Sequence, residues 1–366
     1  MKVKVLQSEM LPALQISSRF VSTRAQLPIL SNIKLSARGA KLVISATNLE
    51  MSFSTKIGAK IEEEGEISLP AKTITDLVQS ISSDQIEFSV QDEKVTVTSS
   101  QSKTTLSGNN TAEFPEIVEE IKEEGVLDLP TSEFIASLPQ VAFCSSPDDT
   151  RPALSGVLFE IDTDITIVAT DGFRLSKKVM KISQKTENMR FIAPRSIVSE
   201  ILKIVKDDSK KLKLHYSEEN NQIIIEYDDF VITSRVVDGA YPDYEGIIPS
   251  SSKVKAEVGR SDFINALKTI SVIARDAANV VEFVFDDGSI RLNAENSKSG
   301  EGETHIDAQV DGGPLKILFN YKYVAEFLSA ISADNVTVEL NDATAAGIFR
   351  IAGDDSYLHI IMSVKL

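Results

Sequence analysis

Three histidines, one cysteine and a few paired carboxylates are the side chains in this 366-residue sequence that most invite a catalytic reading. His215, His305 and His359 each stand alone in strand-like or loop-like stretches, without the spacing of a zinc ligand set. Cys144 has no second cysteine to pair with, so no intrachain disulfide is expected, which fits a reducing cytoplasm. Asp148-Asp149, Asp228-Asp229 and Asp354-Asp355 could offer oxygens to a metal. Adjacent residues on a strand or turn point apart, so solvated turns suit them better. There is no P-loop, no G-x-S-x-G elbow and no G-x-G-x-x-G after a strand. Ser299-Gly300-Glu301-Gly302-Glu303 contains glycine but is acidic, a poor phosphate cradle, and reads as a mobile surface loop. These residues predict no enzyme, no cofactor and no metal site.

The elements that hold them follow a repeat. Six segments share a short apolar strand, a small or polar break and an amphipathic helix; they begin at Val3, Ile67, Leu127, Phe191, Val254 and Leu315. Successive starts differ by 64, 60, 64, 63 and 61 residues, a spacing chance would rarely give. Apolar residues recur at helical spacing, as in Ile197, Ile201, Leu202 and Val205, or Val324, Phe327, Leu328 and Ile331. Ser8, Ser132 and Ser261 are candidate N-caps, and Pro194 suits a first helical turn. Alternating β-rich runs follow each helix, separated by turn signals at Gly39, Asn220-Asn221 and Gly288.

Each unit therefore reads as strand, helix, then three strands. One such unit cannot bury both faces of its elements, whereas two packed together can. Six units give three α+β domains, with boundaries expected at 1–121, 122–252 and 253–366. Two stretches mark them: Glu119-Glu120-Ile121-Lys122-Glu123-Glu124-Gly125 and Ile248-Pro249-Ser250-Ser251-Ser252-Lys253.

The formal net charge of -16 taken alone argues against contact with phosphates. Its distribution softens that argument. The six helices and their flanks carry nine basic and nine acidic side chains, so the rest of the chain carries the whole excess. A surface lined by the helices would repel a polyanion least. No run is apolar enough to span a membrane, and the N-terminus has no signal-peptide pattern, so a cytoplasmic location is expected.

Several segments carry a family resemblance. They are Leu27-Pro28-Ile29-Leu30-Ser31-Asn32, Ala46-Thr47-Asn48-Leu49-Glu50, Arg151-Pro152-Ala153-Leu154-Ser155-Gly156-Val157-Leu158-Phe159, Ala169-Thr170-Asp171-Gly172-Phe173-Arg174-Leu175-Ser176, Tyr241-Pro242-Asp243-Tyr244 and the end Ile360-Ile361-Met362-Ser363-Val364-Lys365-Leu366. Over essentially its full length the chain resembles the bacterial DNA sliding clamps, the beta subunits of the replicative DNA polymerase. The resemblance implies a non-catalytic processivity factor. It implies a head-to-tail homodimer whose six domains close into a ring around duplex DNA, helices facing the hole and antiparallel sheets outside. It also implies docking of polymerase subunits, the clamp loader and repair proteins through a linear peptide.

By position, the resemblance places Arg24, Lys72, Arg195 and Lys203 toward DNA. It places Leu154, Thr170, Gly172, Phe173, Arg174, Leu175, Pro242, Ile247, Ile360 and Met362 around a peptide pocket, with Arg174 orienting the peptide. It places Leu106 against Val272 and Ile273 of a second copy. Ser363, Gly246, Phe173 and Asp148 depart from residues common in the family. Two rival readings are a repeat-built peptide scaffold that never touches DNA, and a metal enzyme using scattered carboxylates.

Overall fold

The computed structural model of the chain describes residues 1–22, 27–121, 125–184, 187–206, 209–297 and 300–365. The repeat appears as expected. Each of the six strands Lys2–Leu6, Gly65–Pro70, Val126–Leu129, Met189–Pro194, Val254–Gly259 and Leu315–Asn320 runs into a helix. The helices are Gln7–Ser17, Ala71–Ser80, Thr131–Ala142, Arg195–Ile204, Arg260–Ala274 and Tyr321–Ala330. Three strands follow each helix, and the first unit has one more, Lys60–Glu63. The helices bury one stripe, for example Ala71, Ile74 and Val78, or Val324, Phe327 and Leu328, onto the sheets.

Three antiparallel sheets result. One has the order Lys60–Glu63, Lys2–Leu6, Gln85–Gln91, Lys94–Thr98, Lys103–Ser107. The second runs Val126–Leu129, Leu212–Ser217, Gln222–Tyr227, Phe230–Arg235, Met51–Gly58, Lys41–Thr47, Asn32–Arg38, Gly65–Pro70. The third starts Met189–Pro194, Gly156–Ile161, Asp164–Thr170, Arg174–Lys181, Tyr357–Ile361, Gly347–Ile351. It continues Asn335–Leu340, Val254–Gly259, Gly300–Asp311, Ser289–Asn296, Val280–Asp286, Leu315–Asn320.

Packing groups parts of these stretches together. The chain forms two compact units: Met1–Thr131 with Lys203–Val236, and Ser132–Leu202 with Val237–Leu366. The cause is the ladder. Phe230–Arg235 pairs with Met51–Gly58, and Arg174–Lys181 with Tyr357–Ile361, so the sheets run through the boundaries between thirds.

Three expectations need correction. Ser8, Ser132 and Ser261 lie inside their helices rather than capping them, and Pro194 ends a strand. Asn320 is a residue whose side chain does cap its helix, accepting from Lys322 N at 3.1 Å. The sheet explains why other caps are dispensable. The first helical N–H of Gln7, Arg260 and Tyr321 donates to Asp84 O, Asp334 O and Asn279 O at 2.8–2.9 Å. Each of those carbonyls directly precedes the strand paired with the one feeding the helix, so the helix start completes the last rung of the ladder. Similarly, Gly300–Glu303 is not loop but opens the strand Gly300–Asp311; Ser299 lies outside the described residues.

The charge balance survives the observed bounds. Within the six helices stand Lys72, Arg195, Lys203, Arg260, Lys268 and Lys322 against Glu9, Asp76, Glu133, Glu200, Asp262 and Glu326. Arg260 is the addition, its Nε donating to Leu328 O at 2.7 Å.

Candidate partner-binding site

A tight turn between the strands Asp164–Thr170 and Arg174–Lys181 organises the most distinctive surface. Thr170 Oγ1 donates to Arg174 O at 2.6 Å and accepts from Gly172 N at 3.0 Å. Asp171 Oδ1 accepts from Phe173 N and Arg174 N at 2.9 and 3.0 Å. The turn needs φ of +92° at residue 172, which glycine adopts without strain. These bonds explain the threonine, aspartate and glycine of the sequence motif and leave the Phe173 ring 59% exposed.

The neighbouring strand completes the site. Leu175 pairs with Ile360, and Met362 N donates to Phe173 O at 2.9 Å. Leu175 and Ile360 are buried in an apolar cluster with Leu158, Val168, Tyr241 and Tyr244, and form a floor. Phe173, Met362 and Ile247 are exposed at the rim. Leu154 sits half-buried in the short helix Pro152–Ser155, next to Ala153, which packs on the same cluster. The segment carrying Pro242 and Ile247 is pinned by two tyrosines. Tyr241 Oη donates to Val168 O at 3.5 Å, and Tyr244 Oη donates to the Glu160 carboxylate. Burial raises both phenol pKa values, so the hydroxyls stay donors.

Arg174 is held by a network of its own. Side chains alternate along a strand, so with Leu175 on the pocket face Arg174 points to the other face, toward the helices. There its Nε donates to Asp171 Oδ2 at 3.1 Å, Nη1 to Glu326 Oε2 at 2.6 Å and Nη2 to Phe143 O at 3.2 Å. The guanidinium also lies over the rings of Tyr323 and Phe143, at 4.6 and 5.2 Å. It ties the turn to the helix Tyr321–Ala330 and to Phe143, just past the helix Thr131–Ala142. Alternation was the signal that could have shown this orientation from sequence.

Behind the same strands lies a polar cluster that sequence spacing did not reveal. Ser176 Oγ is 2.7 Å from His359 Nδ1 and 3.2 Å from Cys144 Sγ, and Tyr357 Oη donates to Gln140 O at 2.9 Å. His359 stacks on Phe327, and its Nε2 has no hydrogen-bond partner among the described residues. Burial, aided by the charge of Arg174, pushes the His359 pKa down to about 3; burial pushes the Cys144 thiol up to about 12.

The remaining site residues are dispersed. Lys72, Arg195 and Lys203 are exposed on their helices, while Arg24 lies outside the described residues. Leu106 is half-buried on Lys103–Ser107, which among the described residues pairs on one side only. Val272 is 64% exposed, whereas Ile273 packs on its own core beside Gly302. Val272 is the more exposed of the pair. Sequence reading missed an open edge: Ser289–Asn296 pairs with Gly300–Asp307, and Val254–Gly259 with Ala308–Asp311 on the opposite side.

Six strand–helix units in a three-domain arrangement, with exposed apolar side chains over a buried cluster at one sheet junction, define a clamp fold. The chain belongs to the DNA polymerase III beta subunit family: models of its N-terminal, central and C-terminal domains match residues 1–118, 128–243 and 245–365. A beta sliding clamp of Vibrio cholerae is 28% identical over the full length of both chains. One of Staphylococcus aureus is 27% identical over 94% of each. Among solved structures, a DNA polymerase sliding clamp from Bacillus subtilis superposes with a TM-score of 0.95 at 25% identity, covering 100% of this chain and 99% of the other. A sliding clamp from Pseudomonas aeruginosa bound to griselimycin is also 25% identical, with a TM-score of 0.93 over the whole of both chains.

Proposed function

We propose that the protein works as a DNA sliding clamp, a homodimeric ring of three domains per chain, divided near 121 and 252, that encircles duplex DNA and gives the replicative polymerase its processivity. The observation that carries this is the six-unit repeat, matched from end to end by the relatives' fold. Helices neutral in net charge within a chain of -16 suit a lining that neither repels nor grips phosphates. Arg24, Lys72, Arg195 and Lys203 are the cations assigned to DNA. The groups that most resemble a nucleophile and base, Cys144, Ser176 and His359, are sealed from solvent with the thiol protonated, which supports a non-catalytic role. Among the described residues no helix is long and apolar enough to cross a membrane.

Two open strand edges suit the dimer. Lys103–Ser107 presents Leu106 with Lys94 and Lys103 exposed nearby. Gly300–Asp307 presents Glu301 and Glu303 beside a groove of about 1210 Å³ whose lining includes Asp276, Glu282 and Glu295. Edge pairing between copies would join basic to acidic and cover both edges. Val272→Glu is expected to shift the protein from dimer toward monomer in sedimentation at micromolar concentration; an unchanged dimer would place the interface elsewhere.

The slot over Leu175 and Ile360 is the proposed site for linear peptides of polymerase subunits, the clamp loader and repair proteins, with Phe173, Ile247 and Met362 as rim. Met362→Glu is expected to weaken binding of such a peptide by at least about tenfold, corresponding to about 1.4 kcal/mol, with unfolding unchanged. The function itself is tested by loading the protein onto nicked circular DNA. It should stay bound through a high-salt wash and leave once the circle is linearised. Salt-sensitive binding that ignores linearisation would favour adhesion over encirclement.

A further inference from the structure

The frame that holds the candidate pocket is built a second time, in the first unit of the repeat. Thr47 Oγ1 donates to Met51 O at 2.9 Å and accepts from Leu49 N at 3.0 Å. Asn48 Oδ1 accepts from Glu50 N and Met51 N at 3.0 and 2.8 Å. Thr170 and Asp171 make the same four bonds around Gly172. A short proline-led helical turn accompanies each, Pro28–Ser31 and Pro152–Ser155. In each the serine Oγ donates to the proline carbonyl, at 2.7 and 2.8 Å. Ser22 N donates to Leu30 O just as Ser146 N donates to Leu154 O, both at 2.8 Å. A neighbouring strand joins at the same rung, Arg235 N to Glu50 O and Met362 N to Phe173 O, both at 2.9 Å.

The two frames differ in what they display. The floor pair Leu175 and Ile360 is replaced by Ser52 and Thr233, buried and hydrogen-bonded to each other. The rim instead carries Leu27 and Leu49, 54% and 49% exposed. Leu49 holds φ of +75°, where glycine would sit without strain, so an exposed leucine is kept against its conformational preference. At the first pocket a Cβ on Gly172 would lie 3.4 Å from Arg151 Nη1; Leu49 and Leu27 hold the equivalent positions. Among the described residues seven large apolar side chains are exposed, and five stand on these two frames.

We propose that the second frame is a docking site for an extended segment of a partner protein, which lays one aliphatic side chain across Leu27 and Leu49. The proposal rests on the peptide reading of the first pocket. The apolar area is that of two leucines, enough for one side chain and far below what a stable interface between copies buries. Glu50 and Arg235, both exposed, flank it with opposite charges for the residues on either side of the anchor. With hydroxyls for a floor there is no deep slot, so the site binds more weakly than the first.

The test uses full-length protein with 13C-labelled leucine methyls, titrated with the uncharged peptide acetyl-Ser-Leu-Ser-Leu-Ser-amide. Leu154 and Leu175 methyls should shift first, and Leu27 and Leu49 methyls at roughly tenfold higher peptide concentration. Leu49→Glu should abolish the Leu27 shift and leave those of Leu154 and Leu175 intact. Movement at the first pocket with Leu27 and Leu49 static, or a Leu27 shift that persists in Leu49→Glu, overturns this inference alone. No saturable shift at either frame overturns the pocket reading with it. Leu27 shifts that follow protein rather than peptide concentration would mean a second copy is the occupant, and also overturn it.

Discussion

Arg174→Ala should lower the unfolding free energy by about 3 kcal/mol, as expected when one member of a buried ion pair is removed. Asp171, itself nearly buried, would lose its cation, and the Phe143 carbonyl and both flanking rings would lose theirs. The effect should reach the pocket although Arg174 faces away from it. Asp171 also receives the two backbone N–H bonds that shape the turn under Phe173, so peptide affinity should fall together with stability. Arg174→Lys should recover only part of the loss, because an ammonium cannot serve three acceptors in the geometry of a planar fork. Urea unfolding of the three proteins checks this. A loss below about 1 kcal/mol for Arg174→Ala would mean that the network is dispensable.

His359 sets the second large effect, and it depends on pH. Its folded pKa of about 3 lies below the ordinary value of 6.5, so the ring stays neutral in the folded protein as the medium is acidified. The unfolded chain takes up the proton first. Between pH 6.5 and about 3 the unfolded state therefore gains relative to the folded one, and stability should fall by about 1.4 kcal/mol for each pH unit lowered through that window. Carboxylates with lowered pKa values, among them Glu66, Asp342 and Asp354, also lose their contribution on acidification, but equally in a variant that keeps them. His359→Gln should preserve a bond to Ser176 and remove the histidine's share. The difference between the two stability–pH curves isolates the ring. Parallel curves from pH 7 to pH 4 would rule out a neutral, buried imidazole.

The architecture was legible because it is periodic. A spacing near 62 residues with a helical stripe after each strand is a signal no single unit could give. What escaped is what depends on contacts between distant residues. Cys144, Ser176 and His359 are separated by 32 and 183 positions, and only the pairing of Ser176 with His359 makes them neighbours. Ser8 and Ser261 do not cap because backbone carbonyls of adjoining strands already meet those helix starts. The double frame was readable in part: Leu27-Pro28-Ile29-Leu30-Ser31 parallels Arg151-Pro152-Ala153-Leu154-Ser155, and Ala46-Thr47-Asn48 parallels Ala169-Thr170-Asp171. What the sequence did not disclose is that the paired floor residues change from aliphatic to hydroxyl between them.

The sharing of sheets across the boundaries between thirds bears on how the molecule survives cutting. A protease that clips the exposed serine-rich connector at 250–252 severs only the covalent link. Five residue pairs from Arg174↔Ile361 to Lys178↔Tyr357 still zip the fragments together, and the Tyr357 hydroxyl remains anchored on Gln140 O. The nicked chain should elute as a single species under native conditions and separate only in denaturant. Each fragment made alone would instead bare an unpaired, aliphatic-rich strand to solvent, the kind of edge that seeds aggregates.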